Sequence, residues 1–284
     1  WVDLGIDGYR IDTAKHVNFE FWQEFTTAVN AHAVAAGNPD FFMFGEVYDA
    51  DARLLSPYVR DTEMTSVLDF AFQSSALTYA KGLRADGLTK LFAADDYYTT
   101  DHSSASALPT FLGNHDMGRV GRLLQGAGSE LERSEIAHSL MYLTRGQPVV
   151  YYGDEQGFVG DGNDKDARED MMASQTASYL DNVLLDGSAY GAGSHFDTDA
   201  PLYRHIAALA ALRDGNKALD TGAQVELYAA DGPGVYAFAR VDRTEKVEYV
   251  VAINNTDAAA EASFATLTPG ATYAPVFGGA ASTT

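Results

Sequence analysis

The sequence predicts an α/β protein built on parallel strands, followed by a smaller antiparallel all-β module. Short apolar runs alternate with stretches of helical periodicity up to residue 214, a pattern typical of parallel strands joined by crossover helices. Charged residues follow three of these apolar runs, at the strand ends where ligands of parallel sheets bind. From residue 215 onward, strands alternate with turns. We therefore predict two domains, 1–214 and 215–284.

The first predicted strand starts at Trp1 and ends in Tyr9-Arg10-Ile11-Asp12. Because the chain opens in an apolar run without a polar leader, we expect it to begin inside a strand and to be part of a longer polypeptide. Asn18 is expected to cap a helix that Gly37 ends, and Phe41–Phe44 is predicted to be a strand buried on both faces. Further helices are predicted near 52–58, 72–94, 131–144 and 202–213.

The remaining parallel strands are predicted at 66–70, 109–112 and 147–152, the last of them buried. Antiparallel strands are predicted at 224–228, 234–240 and 247–253. An open doubly wound sheet and a closed barrel both fit the strand-helix alternation, and both place ligands at the carboxyl ends of the strands.

The charge balance excludes several classes of partner. The chain has 19 Lys and Arg against 40 Asp and Glu, a formal net charge of −21. Nucleic acids and anionic membranes need a basic surface, so we expect neither as a partner. No apolar run approaches the roughly 20 residues that span a bilayer. The chain has no cysteine, which fits a secreted and a cytoplasmic protein equally. We expect a secreted protein.

Three acidic residues follow the predicted parallel strands: Asp12, Glu46 and Asp116. Retaining glycoside hydrolysis uses two carboxyl groups about 5–5.5 Å apart, one ionised and one protonated. Arg10 precedes Asp12 by two residues, so both point to the same face of the strand and the guanidinium favours ionised Asp12. The apolar run before Glu46 favours the protonated form that a general acid needs.

The segments around these acids resemble those of a known family. Gly8–His16, Phe44–Val47 and Phe111–Asp116 are similar, in order and rough separation, to the second, third and fourth signature segments of the α-amylase superfamily, glycoside hydrolase family 13. Pro148–Gly157 is similar to its eighth strand and following loop. The resemblance implies a (β/α)8 TIM barrel, of which this chain supplies about strands 4 to 8, followed by an all-β C-terminal domain. The first strands would then lie elsewhere in the same polypeptide or in another chain.

The resemblance also implies roles for single residues. Asp12 would be the nucleophile, Glu46 the general acid/base and Asp116 the transition-state stabiliser. Substrate-binding roles are implied for Arg10, Lys15, His16, His115, Asp164 and Arg168. The backbone carbonyl of His16 would be a ligand of a structural calcium ion, whose other ligands lie mostly in the missing part of the barrel.

For some of these residues a simpler role stays open. Lys15 alone fits a solvated charge, and Asp164 with Arg168 fits an ordinary ion pair at the start of a helix. Tyr48 fits either stacking on glucose or packing.

The resemblance favours a retaining, endo-acting hydrolase of α-1,4-glucosidic bonds in starch and glycogen, with a covalent glycosyl-enzyme intermediate. Lys15-His16 is typical of α-amylases and cyclodextrin glucanotransferases, whereas Val47-Tyr48-Asp49 departs from the Trp-Phe that glucanotransferases tend to carry. A glucanotransferase-like transglycosylase is therefore the second hypothesis. A non-catalytic glucan-binding relative is the third, disfavoured because such relatives commonly lack one of the three acids.

Overall fold

The computed structural model describes residues 1–278; residues 279–284, at the end of the predicted C-terminal domain, lie outside the described residues. Its strands are β1 (Gly8–Ile11), β2 (Phe42–Gly45), β3 (Ser66–Val67), β4 (Pro109–Phe111), β5 (Gln147–Val149), β6 (Ala223–Ala229), β7 (Val235–Val241) and β8 (Glu248–Asn254). Its helices are α1 (Phe19–Ala35), α2 (Ala52–Leu55), α3 (Pro57–Arg60), α4 (Phe70–Ala80), α5 (Asp86–Ala93), α6 (Val120–Leu123), α7 (Glu130–Leu143), α8 (Ala177–Leu180), α9 (Pro201–Asp214) and α10 (Lys217–Asp220). Single 3₁₀ turns lie at Val2–Leu4, Ala14–His16, Asp95–Tyr98, Ala105–Ala107, Asp154–Gln156 and Asp164–Ala167.

The N-terminal strands are parallel and follow the chain order, as the alternation of apolar and helical segments predicted. One ladder runs β1-β2-β3 and a second runs β4-β5. The backbone N–H of Asp69, just after β3, donates to the carbonyl of Pro109 in β4 at 3.0 Å and joins the two ladders. Ile11 lies opposite Gly45 in the β1-β2 register. The residues that follow these two strands, Asp12 and Glu46, therefore emerge side by side.

The prediction that the chain begins inside a strand is wrong. Val2–Leu4 form a 3₁₀ turn that ends at Gly5, whose φ of 83° lies in the left-handed region that favours glycine. The strand begins only at Gly8.

Two further elements are shorter than predicted. The helix expected over 72–94 is two helices, because α4 ends at Ala80 and Gly82 takes a φ of 80° before α5 starts. The strand expected over 66–70 stops at Val67, because the side chain of Asp69 accepts a hydrogen bond from Phe72 N at 2.8 Å and caps α4.

The prediction of a buried strand over 147–152 is also wrong. β5 ends at Val149, whose side chain is 44% exposed. Among residues 1–278, β5 pairs only with β4 and β1 pairs only with β2, so each has one edge without a partner strand. Large apolar side chains near β1 are exposed in the same way, with Trp1 at 80% and Leu4 at 76%.

The C-terminal segment forms an antiparallel sheet in the order β6-β7-β8, as predicted. Its middle strand is buried, and Tyr236 and Phe238 belong to the same core as the helices. The hydroxyl of Tyr79 in α4 donates to Gly234 O at 2.8 Å and accepts from Tyr236 N at 3.1 Å. The sheet is therefore fastened to the helical layer by polar contacts as well as by packing. The domain boundary at 215, next to the end of α9, stays a prediction.

Three buried arginines stabilise the region where α7 runs into β5. Arg213 donates to the carbonyls of Tyr142 and Gly146 at 2.7 and 2.6 Å, and Arg240 in β7 donates to that of Leu143 at 3.0 Å. The carbonyls of Tyr142 and Leu143 lie at the C-terminal end of α7, where a positive charge is favourable, and that of Gly146 lies between α7 and β5. Arg145 points the other way, toward Asp69 and Asp95.

The ion pairs of Arg145 form a second, largely buried link between the two parallel ladders. Its Nη1 donates to Asp69 Oδ2 at 2.5 Å and its Nε donates to Asp95 Oδ1 at 2.8 Å. The Arg145 and Asp69 side chains are only 3% and 1% exposed. Burial raises the pKa of Asp95, and Arg145 opposes that rise.

We predict that Arg145→Met lowers the free energy of unfolding by about 3–5 kcal/mol, because it leaves buried carboxylates without their cation. Urea denaturation followed by circular dichroism measures the change. Arg53→Met is the matched control: Arg53 pairs with Asp51 on the surface, and such a pair contributes about 0–1 kcal/mol. Equal losses in the two variants would contradict the prediction.

Candidate active site

A single guanidinium links the two acids that follow β1 and β2. Arg10 Nη1 donates to Asp12 Oδ1, and Arg10 Nη2 lies 3.3 Å from Glu46 Oε2. The backbone N–H of Thr13 also donates to Glu46 Oε2, at 3.1 Å. The structure thus brings Glu46 together with Arg10 and Asp12, which the sequence placed on a different strand.

The surroundings of these two carboxyl groups differ. The hydrogen bond from Arg10 is the main reason that the pKa of Asp12 lies below its usual range; His115 adds a smaller lowering. Asp12 therefore stays ionised in mildly acidic solution. Glu46 is mostly buried, with its side chain 14% exposed.

The structure differs from the apolar setting predicted for Glu46. Its carboxylate meets the Thr13 N–H and the Arg10 guanidinium. Thr13 can present its N–H in this way because its φ of 46° is left-handed, an uncommon conformation for a β-branched residue. Such strained backbone clusters at functional sites.

Asp116 lies in a tight turn after β4. Asn114 and Gly118 exchange backbone hydrogen bonds of 3.2 Å, and Asn114 Oδ1 accepts from the N–H of Asp116 at 2.9 Å. A Cβ at Gly113 would lie 2.4 Å from the Gly118 carbonyl oxygen, so this turn requires glycine. His115 Nε2 lies 3.1 Å from Asp116 Oδ2. The turn presents the Asp116 and His115 side chains together, both about half exposed.

Arg168 and Asp164 join Asp116 from the loop after β5. Arg168 Nη2 lies 3.3 Å from Asp116 Oδ1, and Arg168 Nε donates to His115 O at 3.1 Å. Arg168 also pairs with Asp164, as the simpler hypothesis of an ion pair expected. Its contacts with Asp116 and His115 go beyond that hypothesis and place the pair at the candidate site.

Lys15 reaches the loop after β2. Its Nζ donates to Tyr48 O at 2.8 Å and to Asp49 Oδ2 at 2.9 Å. The bond from Lys15 is the main cause of a lowered pKa for Asp49. His16 ends the 3₁₀ turn that carries Lys15, and its side chain is exposed. Tyr48, 64% exposed, packs its ring edge-on against Phe70 with centroids 5.0 Å apart. Sequence reasoning missed Asp49, which it noted only as a departure from glucanotransferases.

The residues around His16 do not fit the predicted calcium site by themselves. In the described part of the chain, no group of three or more His, Cys, Asp or Glu side chains is arranged to hold a metal ion. The His16 carbonyl is thus not joined by a set of side-chain ligands.

In residues 1–278 no helix is long and apolar enough to cross a membrane.

Below the Asp116 turn lies a buried cluster that the sequence did not single out, Arg119 with Asp154 and Glu169. These side chains are at most 2% exposed. Burial raises the pKa of Asp154 to about 7, although Arg119 acts in the opposite direction. The only signal in the sequence was the position of Arg119, three residues after Asp116.

The family model for the alpha-amylase catalytic domain matches residues 1–222. The chain is 51% identical over 286 residues to an α-amylase of Streptomyces lividans, covering 98% of this chain and 31% of that protein. It is 28% identical to a cyclomaltodextrinase of Geobacillus thermopakistaniensis, covering 92% of this chain and 39% of that protein. A cyclomaltodextrin glucanotransferase of Paenibacillus macerans is 26% identical, with 98% and 34% covered. The chain therefore spans well under half the length of these curated relatives.

Solved α-amylase structures are also similar to this chain. An Anoxybacillus α-amylase superposes with a TM-score of 0.70 and 30% identity, covering 88% of this chain and 48% of that one. A Geobacillus thermoleovorans α-amylase, solved in complex with acarbose, gives 0.68 and 26%, covering 88% and 49%. These neighbours combine a TIM barrel with a C-terminal antiparallel all-β sheet.

We predict that Arg10→Met raises the pKa of Asp12 toward its ordinary value of 3.8, because the main cause of the lowering is removed. The carboxyl carbon shift of Asp12, followed by NMR against pH, measures the change. Arg53→Met is the control: it should leave Asp12 unchanged and raise the pKa of Asp51 from about 2. An unchanged Asp12 titration in Arg10→Met would refute the assignment.

Proposed function

This chain belongs to the α-amylase family, and from that premise we propose that it is the catalytic part of a retaining, endo-acting hydrolase of α-1,4-glucosidic bonds in starch and glycogen. One observation carries the proposal: Arg10 contacts both Asp12 and Glu46 where two adjacent strands end. Two carboxyl groups that share one guanidinium lie close together. This arrangement agrees with the short separation of retaining enzymes, about 5–5.5 Å.

In the proposed reaction, a carboxylate oxygen of Asp12 attacks the anomeric carbon while Glu46 gives its proton to the leaving glycosidic oxygen. The bond between sugar and leaving group breaks as the bond to Asp12 forms. Water then attacks the anomeric carbon of this glycosyl-enzyme, Glu46 takes its proton, and Asp12 leaves as carboxylate. The lowered pKa of Asp12 supports its role as nucleophile, because only the carboxylate attacks.

The remaining site residues are proposed to hold the glucan. Asp116 and His115 would bind hydroxyl groups of the sugar at the cleavage point, where Asp116 stabilises the transition state. Lys15 and His16 would contact glucose on the leaving-group side, and Asp164 and Arg168 would contact it on the other side. The contacts of Arg168 with Asp116 and His115 support this last placement.

We also propose that β1 to β5 correspond to about strands 4 to 8 of a (β/α)8 barrel. The unpaired edges of β1 and β5 in the described residues support this, as do the exposed side chains of Trp1, Leu4 and Val149. The other strands would come from residues outside this sequence, in the same polypeptide or another chain. A calcium site that includes the His16 carbonyl would take its remaining ligands from there. We further propose that the protein is secreted.

The second candidate function is α-glucan transglycosylation. The glucanotransferase relative, 26% identical, favours it. The higher identity to the Streptomyces α-amylase favours hydrolysis. The hypothesis of a non-catalytic relative is disfavoured because all three acids are present and two of them share a guanidinium.

We predict that Glu46→Gln in the whole protein lowers kcat on soluble starch by about 10²–10⁴-fold, because a positioned general acid contributes that much. Release of reducing ends measures the rate. Glu63→Gln, an exposed glutamate outside the site, is the matched control and should leave kcat unchanged. If Glu46→Gln retains full activity, the assignment of the acid/base is wrong.

Soluble starch should yield short linear maltooligosaccharides whose new reducing ends first appear as the α-anomer. Two displacements at the same carbon restore its configuration. NMR during the first minutes distinguishes the anomers before mutarotation, and chromatography distinguishes linear from cyclic products. Predominantly cyclic products would favour the transglycosylase, and an initial β-anomer would exclude the proposed mechanism.

A further inference from the structure

We infer that Arg119 is a positioning residue for Asp116, and that its buried ion pair with Glu169 sets the contact between Arg168 and Asp116. The inference rests on the proposed function, in which Asp116 acts in the transition state. Neither Arg119 nor Glu169 can touch substrate, because both side chains are fully buried. Any effect they have on the reaction must pass through the loops that they hold.

Arg119 and Glu169 are adjacent in sequence to the two segments that meet at the candidate site. Arg119 directly follows the tight turn that carries Asp116, and the backbone bonds between Asn114 and Gly118 make that turn compact. Glu169 directly follows Arg168, which contacts Asp116 Oδ1 and the His115 carbonyl. The buried pair therefore joins the two segments immediately beside the residues that meet at the surface.

Several bonds fix the position of the Arg119 guanidinium. Arg119 Nε donates to Glu169 Oε2, and Nη1 donates to Tyr152 O at 2.6 Å and to Asp154 Oδ1 at 3.2 Å. The rings of Tyr151, Tyr152 and Phe158 lie with their centroids 4.6–5.1 Å from the guanidinium carbon. Lysine has neither the planar fork nor the stacking surface that this setting uses.

The energetic cost of buried charges points to the same pair. Removing charges from water is costly, so a buried ion pair is weak evidence for a role in stability, whereas breaking one is strongly destabilising. With two carboxyl groups and one guanidinium, this cluster would carry a net negative charge. Burial raises the pKa of Asp154 to about 7, which reduces that excess. The remaining pair, Arg119 with Glu169, is the one that joins the two loops.

A double-mutant cycle tests the inference, with kcat and KM on soluble starch as readouts. Arg119→Lys should lower kcat by about 10- to 100-fold, the scale of a 1 Å misplacement, and change KM less than twofold. Arg168→Gln should lower kcat by itself. If Arg119 acts through Arg168, the double variant should be little worse than Arg168→Gln alone. Arg122→Lys, exposed and hydrogen-bonded to Gln125, is the control and should leave kcat unchanged.

The inference is overturned if the kcat loss in the double variant equals the product of the two single losses. It is also overturned if Arg119→Lys changes KM alone. If Arg119→Lys fails to fold, Glu169→Gln replaces it in the cycle, because it keeps the shape of the side chain and removes only the charge. If neither variant folds, the cluster serves stability and the inference is likewise overturned.

Failure of the proposed function is recognised separately. If the unmodified protein does not cleave starch, that function is wrong, and hydrogen exchange then tests the positioning role. Arg119→Lys should raise amide exchange in segments 114–118 and 161–168 and leave α1 unchanged. Unaltered exchange in both segments would overturn the inference.

Discussion

Cations are scarce in this protein, and its buried acids depend on a few shared arginines. Asp and Glu number 40 against 19 Lys and Arg, so most acids must face water. Several buried acids share one guanidinium with a second acid: Arg145 contacts Asp69 and Asp95, and Arg119 contacts Asp154 and Glu169. Arg10 repeats this arrangement at the surface with Asp12 and Glu46. The planar fork of arginine suits it to such sharing, which lysine cannot match.

The same residue type also joins the helical layer to the C-terminal sheet. Arg240 in β7 donates to the carbonyl of Leu143 at the end of α7, and Arg133 in α7 donates to Ala80 O and Asn255 O. Asn255, just after β8, donates in turn to Tyr79 O and Leu83 O. The parallel strands carry the proposed chemistry, and these bonds keep the sheet seated on the helices that support them.

Much of this organisation was predictable because the signals are local. Apolar runs and helical periodicity located most strands and helices, and the acids that follow β1, β2 and β4 identified the candidate site. Predicted element bounds were wrong where a local contact ended a strand or helix early. Residue pairs were missed where the two partners are far apart in the sequence. Asp69 ends β3 by capping α4, and left-handed Gly82 breaks a helix that periodicity alone would continue. The Arg119–Glu169 and Lys15–Asp49 pairs join residues 50 and 34 positions apart, which no periodicity encodes.

The ion pairs at the candidate site differ in how accessible they are to dissolved ions. The pairs of Lys15 with Asp49 and of Arg168 with Asp116 are partly exposed, whereas Arg119 and Glu169 are sealed from water. Dissolved salt screens exposed charges over a Debye length of about 10 Å at 0.1 M and reaches buried ones far less. Higher ionic strength should therefore weaken the exposed pairs of Lys15 and Arg168, while the buried pair of Arg119 with Glu169 is retained. In concentrated salt the candidate site would lose its exposed ion pairs first and keep the buried pair that links its two loops.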